Sequence, residues 1–281
     1  MKKWLIMVGV LLVLIGVGYQ YRLTIWAAYN QPQMFRAPAL DDVPPELAVD
    51  LGVVPILSFS KTNGFRHHQS IDASRSMLDA LGLTNGWQFY HTENGAIFND
   101  RQLARFRLII LNHKSGTTWN TTQREALQAY LENGGTVLAF HAAGGDNSYA
   151  WSWYLQQLLR AQFVDHPMDR HIQQATLKIE DPHHPATEHL AATWQRRDEW
   201  YNFSSSPRSR VNVLISIDES SYDAEKSPMG EDHPLVWWHQ VGAGRVFYNA
   251  MGHTSESYQE VAYQAFITGA INWGLAQPGN A

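Results

Sequence analysis

The histidines of this chain are not spread evenly. His67 and His68, with Lys61, Asn63 and Arg66, follow the apolar run "VVPILSFS"; Asn112, His113 and Lys114 follow "FRLII"; His141 and Asp146 follow "TVLAF". Farther on, "VDHPMDRH" supplies His166, "DPHHPAT" supplies His183 and His184, "RRDEWYNF" supplies Asp198 and Glu199, and "MGHTSES" supplies His253. Imidazole exchanges a proton near neutral pH, so such a set suits general acid–base chemistry, with arginine available to hold a developing oxyanion. Taken singly, a loop histidine is more often a solvated or capping residue. His–Pro pairs mark turns, the reading for His184 and His233, and His239 in "LVWWHQV" reads as a strand residue. The cluster is therefore the signal. His67 and His68 are adjacent and do not easily point into one site.

Motifs with fixed spacing are absent. There is no H-E-x-x-H, G-x-S-x-G, P-loop or strand-borne G-x-G-x-x-G. No dedicated metal ligand can be named, although zinc held by distant His, Asp and Glu side chains remains open. The chain has no cysteine, which excludes disulfides, thiolate metal sites and a cysteine nucleophile. A net charge of −5 argues against nucleic acid as a partner.

These side chains need elements to position them. From Val53 the pattern alternates: strand "VVPILSF", helix "SIDASRSMLDALG", strand "WQFYHT", short helix "NDRQLARF", strand "FRLIILN", helix "TTQREALQAYLENGG", strand "TVLAFH". The third helix carries an expected capping box from Thr122 to Glu125. Strands apolar throughout and separated by helices predict a parallel sheet covered on both faces. The second half, "QQATLKIE", "NVLISID", "LVWWHQV" and "RVFYNAM", has strands without long helices, and "GAG" at 242–244 signals a hairpin. This predicts an antiparallel extension of the same sheet, closed by a helix over 255–275. In such sheets ligands bind beyond the carboxyl ends of the strands, where His67, His113 and His141 fall.

The amino terminus reads differently. Two lysines precede an uncharged run from Trp4 to Tyr21, about 27 Å long as a helix, enough to span a bilayer. An uncleaved anchor over 1–23, amino terminus cytoplasmic and domain extracytoplasmic (periplasmic in a Gram-negative cell), is favoured over secretion after signal cleavage. Residues 24–52, rich in proline, read as a linker, 53–275 as one domain, and 276–281 as a tail.

"SKTNGFRHHQSI", "ENGGTVLAFHAAGG", "HHPAT", "DEWYNF" and "HPLVWWHQVGAGRVFYNAMGHT" occur in the order seen in the ThuA-like family, named for trehalose utilisation, which the chain resembles over about 53–275. The resemblance implies a flavodoxin-like α/β sandwich related to class I glutamine amidotransferases. Their cysteine turn corresponds here to His141-Ala142-Ala143, so amidotransferase chemistry is excluded. The resemblance places the family's polar positions on Arg66, His67, His141, His166, Glu199, Arg245 and His253, and leaves His68 outside them. It implies a role in disaccharide metabolism through 3-keto-sugars made by a partner sugar dehydrogenase.

The expected function is therefore an enzyme acting on a sugar derivative such as a 3-keto-glycoside. His67, His141, Glu199 and His253 are the expected catalytic groups. Arg66, Asp146, His166, Trp200, Tyr201 and Arg245 are the expected substrate contacts. Two alternatives stand beside it: a membrane-tethered sugar-binding module using Trp200, Tyr201, Trp237 and Trp238, and a zinc-dependent hydrolase on the same histidines.

Overall fold

Three runs are buried at every position: β1 (Pro55–Phe59), β3 (Leu108–Asn112) and β4 (Thr136–Phe140). That is the pattern of parallel strands covered on both faces. The protein was analysed as a computed structural model, which describes residues 18–146 and 149–276 together with Trp4, Met7 and Gly16. The remaining strands are β2 (Gln88–Thr92), β5 (Phe163–Asp165), β6 (Gln173–Ile179), β7 (Thr193–Asp198), β8 (Asn202–Phe203), β9 (Asn212–Asp218), β10 (Pro234–Val241) and β11 (Gly244–Asn249). The helices are α1 (Arg22–Asn30), α2 (His68–Asn85), α3 (Asp100–Leu103), α4 (Thr121–Glu132) and α5 (Val261–Leu275).

The large sheet runs β2-β1-β3-β4-β11-β10-β9-β6-β7. Its first five strands are parallel, in the 2-1-3-4-5 order of a flavodoxin-like sheet with β11 in fifth place. The rest is antiparallel, as expected, and β10 and β11 pair from Val241↔Gly244 to Val236↔Asn249 across the predicted hairpin. The strand order reverses between β1 and β3, so the crevice at their carboxyl ends is the place where such folds bind ligands. An isolated parallel bridge, Thr62↔Ser115, carries the two loops side by side past the sheet. They touch at glycines: a Cβ on Gly116 would fall 2.4 Å from the Gly64 nitrogen.

Two local expectations are corrected. The capping box of α4 is Asn120 with Gln123, not Thr122 with Glu125, because Asn120 has the extended backbone a cap requires and its side chain accepts from the Gln123 N–H. The closing helix begins at Val261. Residues Ser255–Gln259 form a separate 3-10 turn capped by the Thr254 side chain. Of the expected anchor, 1–23, fourteen residues lie outside the described ones, and among those described no helix is long and apolar enough to cross a membrane. Residues read as a linker lie along the domain: Asp41 pairs with Lys61, Gln102 donates to the Pro45 carbonyl, and Arg105 donates to those of Ala48 and Val49.

Candidate active site at the carboxyl edge

Four chain segments meet beyond the strands. The loop after β1 brings His67, the turn after β4 brings His141, the residue after β7 is Glu199, and the loop after β11 brings His253. One ligand atom from each of these four lies within 4.8 Å of all the others.

His141 is held in the left-handed region, φ +43, which a β-carbon disfavours and which the surroundings must enforce. They do so with two bonds. The Tyr248 hydroxyl donates to its carbonyl at 3.1 Å, and its own Nδ1 lies 2.6 Å from the Ala250 carbonyl. A carbonyl only accepts, so Nδ1 carries the proton and Nε2 is turned into the site. Nε2 lies 3.3 Å from Glu199 Oε2, 3.2 Å from His253 Nδ1 and 3.0 Å from the Tyr201 hydroxyl. Two lone pairs facing each other at 3.3 Å call for a shared proton or a cation between them.

Glu199 is buried, with Oε2 3.0 Å from His253 Nδ1 and Oε1 3.4 Å from His166 Nδ1. Burial works against its charge, yet its bonds to His141 and His253 hold it well below the usual carboxylate range. His253 is the counterpart. Burial opposes its charged form, but the bond to Glu199 and the fields of Glu199 and Asp198 raise it above its ordinary value. His67 moves the other way, held low by burial and by His141 and His253. Its Nδ1 is buried with no hydrogen-bond partner among the described residues.

The backbone around His253 is fixed by a carboxylate. Asp198 accepts from the N–H groups of Gly252 and His253 at 2.8 and 2.9 Å and from Glu199 N–H at 2.9 Å. The Ser70 hydroxyl in the first turn of α2 donates to the His253 carbonyl.

Of the expected residues, the structure brings His166 and Tyr201 to the four. It does not bring Arg66, Arg245 or Trp200. The Arg66 guanidinium turns away to a two-point pair with Glu93, both bonds 2.8 Å. Arg245 pairs with Thr136 at the amino ends of β11 and β4, so it sits at the opposite end of the strands, stacked on Trp273. Trp200 and Trp237 are wholly buried, donating to the Gln173 and Leu159 carbonyls, so neither is a platform for a sugar. The Trp238 ring lies tilted against that of Trp273, 5.3 Å away. The charge of Asp146 acts on Lys114. His68 is exposed at the start of α2, as its adjacency to His67 suggests.

Two histidines outside the expected catalytic and contact set belong near the site, His113 having been placed at the same edge by the sequence. His113 has φ +57, bonds the Tyr258 hydroxyl at 2.5 Å, and its ring lies 5.6 Å from that of His67. Its place after β3 was the available signal. The His171 ring lies 5.8 Å from that of His253 and lines a cleft of about 930 Å³ with Arg170, Gln173, Arg197, Ser221 and Tyr222. Nothing in its sequence context marks His171.

Beside the cluster, Lys114 is buried among rings, its Nζ 3.7 Å from the centre of Tyr149 and 4.5 Å from that of Tyr154. Burial lowers its pKa from 10.5 to about 7. A lysine lowered in the fold contributes fully above its ordinary value, and that contribution is lost as pH falls toward 7. Stability should therefore rise between pH 7 and 10 by up to about 1.4 kcal/mol per unit from this group. Lys114→Met should remove that slope, measured by urea unfolding at pH 7.5 and 9.5; an unchanged slope would contradict the assignment.

Residues 55–274 match the family model ThuA, described as trehalose utilisation. The fold is similar to that of a ThuA-like protein from Bacteroides uniformis ATCC 8492, with TM-score 0.69 and 22% identity over 83% of this chain and 95% of that one. It is similar also to a ThuA-like protein from Parabacteroides merdae ATCC 43184, with TM-score 0.60 and 17% identity over 80% of this chain and 90% of that one. No curated protein sequence matches the chain. With the motifs, the five-strand order and the family match over 55–274 in agreement, the chain belongs to the ThuA family.

Proposed function

We propose that the protein is an enzyme of carbohydrate utilisation acting on a sugar derivative, a 3-keto-glycoside, at a centre where His141, Glu199 and His253 seat a divalent cation. One observation supports this above the rest: the three ligand atoms are 3.0, 3.2 and 3.3 Å apart. A regular tetrahedron around zinc, with bonds of about 2.0 Å, has edges of about 3.3 Å. Three protein ligands leave one position open, as catalytic sites do. A bound cation would polarise a substrate carbonyl or hydroxyl and lower the pKa of bound water.

The chain's own groups then have separable tasks. His67, held neutral beside the seat, is placed as a base for the proton on C2, which a C3 carbonyl acidifies. The C–H pair forms an enolate; the enolate returns its carbonyl as C1=C2 forms and the C1–O1 bond breaks. The departing oxygen takes a proton from a neighbouring acid, a place that His166 occupies beside Glu199. The cleft beyond His171 has room for a sugar unit.

A metal-free acid–base pair is the second reading, favoured by the opposite shifts of His67 and His253. Elemental analysis of untagged protein, with turnover of a 3-keto-disaccharide before and after chelation, separates the two. Near-stoichiometric metal and turnover lost to chelator are expected. Turnover that survives chelation selects the second reading, and protein inert on every keto-glycoside removes both. The same proposal holds the domain outside the cytoplasm by its amino-terminal run, with a sugar dehydrogenase supplying the keto-glycoside. Resistance of the domain to protease added to spheroplasts would overturn that placement.

A further inference from the structure

Among the described residues before Pro55, one alone is buried, and it is a glutamine. A segment that merely packed on the domain would be expected to bury an apolar residue there, because a buried amide is costly unless its polar atoms are paired. Gln31 is 3% exposed, and its amide is paired. Its Oε1 accepts the Arg66 N–H at 2.8 Å, and its Nε2 donates to the Arg66 carbonyl at 3.1 Å. The side chain thus grips both faces of one residue's backbone, as a neighbouring strand would. Gln33 adds a second point, donating to Gln31 Oε1 at 2.7 Å and to the Gly64 carbonyl at 3.0 Å.

The gripped residue immediately precedes His67. The Arg66 carbonyl belongs to the peptide whose nitrogen is that of His67, so fixing its plane fixes the direction from which His67 enters the site. The loop has no ladder of its own there, and without Gln31 the Arg66 N–H and C=O lack these partners. Rings follow the same route: Trp26 of α1 stacks on Phe65 at 6.2 Å, and Phe65 meets the His67 ring edge-on at 4.8 Å. The His67 side chain makes no capping bond to α2.

We propose that Gln31 is a positioning residue for His67, so that the segment carrying it is part of the active centre and more than a linker. The inference rests on the reading of His67 as a member of that centre. Displacements of about 1 Å in a reacting group can cost on the order of 100-fold in rate.

The test uses the full-length protein with nitrogen-15-labelled histidine, the His67 ring signals being assigned from their absence in His67→Ala. Gln31→Ala should shift or broaden the His67 signals while leaving those of His239 in place. It should lower kcat on a 3-keto-disaccharide about 10–100-fold with KM little changed. Gln31→Glu keeps the acceptor for the Arg66 N–H and loses the donor, so its effect should be intermediate; it also serves if the alanine variant does not fold. His67 signals unchanged in both variants overturn the proposal. If wild-type protein turns over no keto-glycoside, the proposed reaction fails, and the ring signals still decide the role of Gln31.

Discussion

Glu199→Gln is expected to abolish turnover and to weaken divalent-cation binding at least on the order of 100-fold, while the fold persists. Loss of a partner that merely orients a ligand typically costs 10–100-fold, and Glu199 is proposed as a ligand itself. The amide has nearly the shape of the carboxylate, so the packing around a residue 2% exposed is kept. What is lost is charge. Glu199 is the carboxylate bonded to His141 and His253, and its bond and field hold the His253 proton above the ordinary range. With a neutral amide in place, His253 releases that proton readily, and no unpaired buried charge remains to unfold the protein. Equilibrium cation titration and denaturant unfolding check both halves. Wild-type cation affinity in the variant would refute the seat. A collapse of stability would show that Glu199 is chiefly structural.

Asp198→Ala should give the opposite outcome, a large loss of stability. The side chain is wholly buried, and its two oxygens serve three backbone N–H groups, the Ser257 hydroxyl at 3.1 Å and Arg196 at 3.3 Å. Arg196 is itself 3% exposed, held between Trp194 and Tyr263. Removing one partner of such a pair leaves a buried charge with less compensation, which costs about 3–5 kcal/mol. Its remaining pair, with Glu260 at 3.2 Å, moderates that cost. The urea midpoint should fall with the slope unchanged. Asp198→Asn, which keeps an acceptor for two of the N–H groups, should lose less. A midpoint at the wild-type value for Asp198→Ala would refute this account. The two neighbours thus divide their work: Glu199 faces the chemistry, and Asp198 holds the loop that carries His253.

Much of the architecture is local and so legible. β1, β3 and β4 are continuous apolar runs between helical segments, and that pattern admits few solutions other than a covered parallel sheet. The hairpin at Gly242–Gly244 follows from turn chemistry, and position beyond a strand end is enough to nominate His67 and His141. The order of motifs along the chain does not say which end of a strand faces the ligand, and Arg245 stands at the amino end of β11. Loop position gives no side-chain direction for Arg66, whose partner Glu93 follows β2, the strand beside β1. Composition does not show that the indole N–H groups of Trp200 and Trp237 find backbone carbonyls inside the core.

What the amino-acid sequence determined alone is therefore the menu: parallel strands, an antiparallel continuation, an edge rich in imidazole, and no thiol to act in their place. Only the tertiary structure decided the assembly. Residues as far apart in the chain as Gln31, His67, Asp198 and His253 become one unit because the sheet brings four loop ends to a single edge. The physical reason is that helix and strand patterns are written in neighbouring residues. The spacing of three ligand atoms and the clasp on one peptide depend on how distant segments pack.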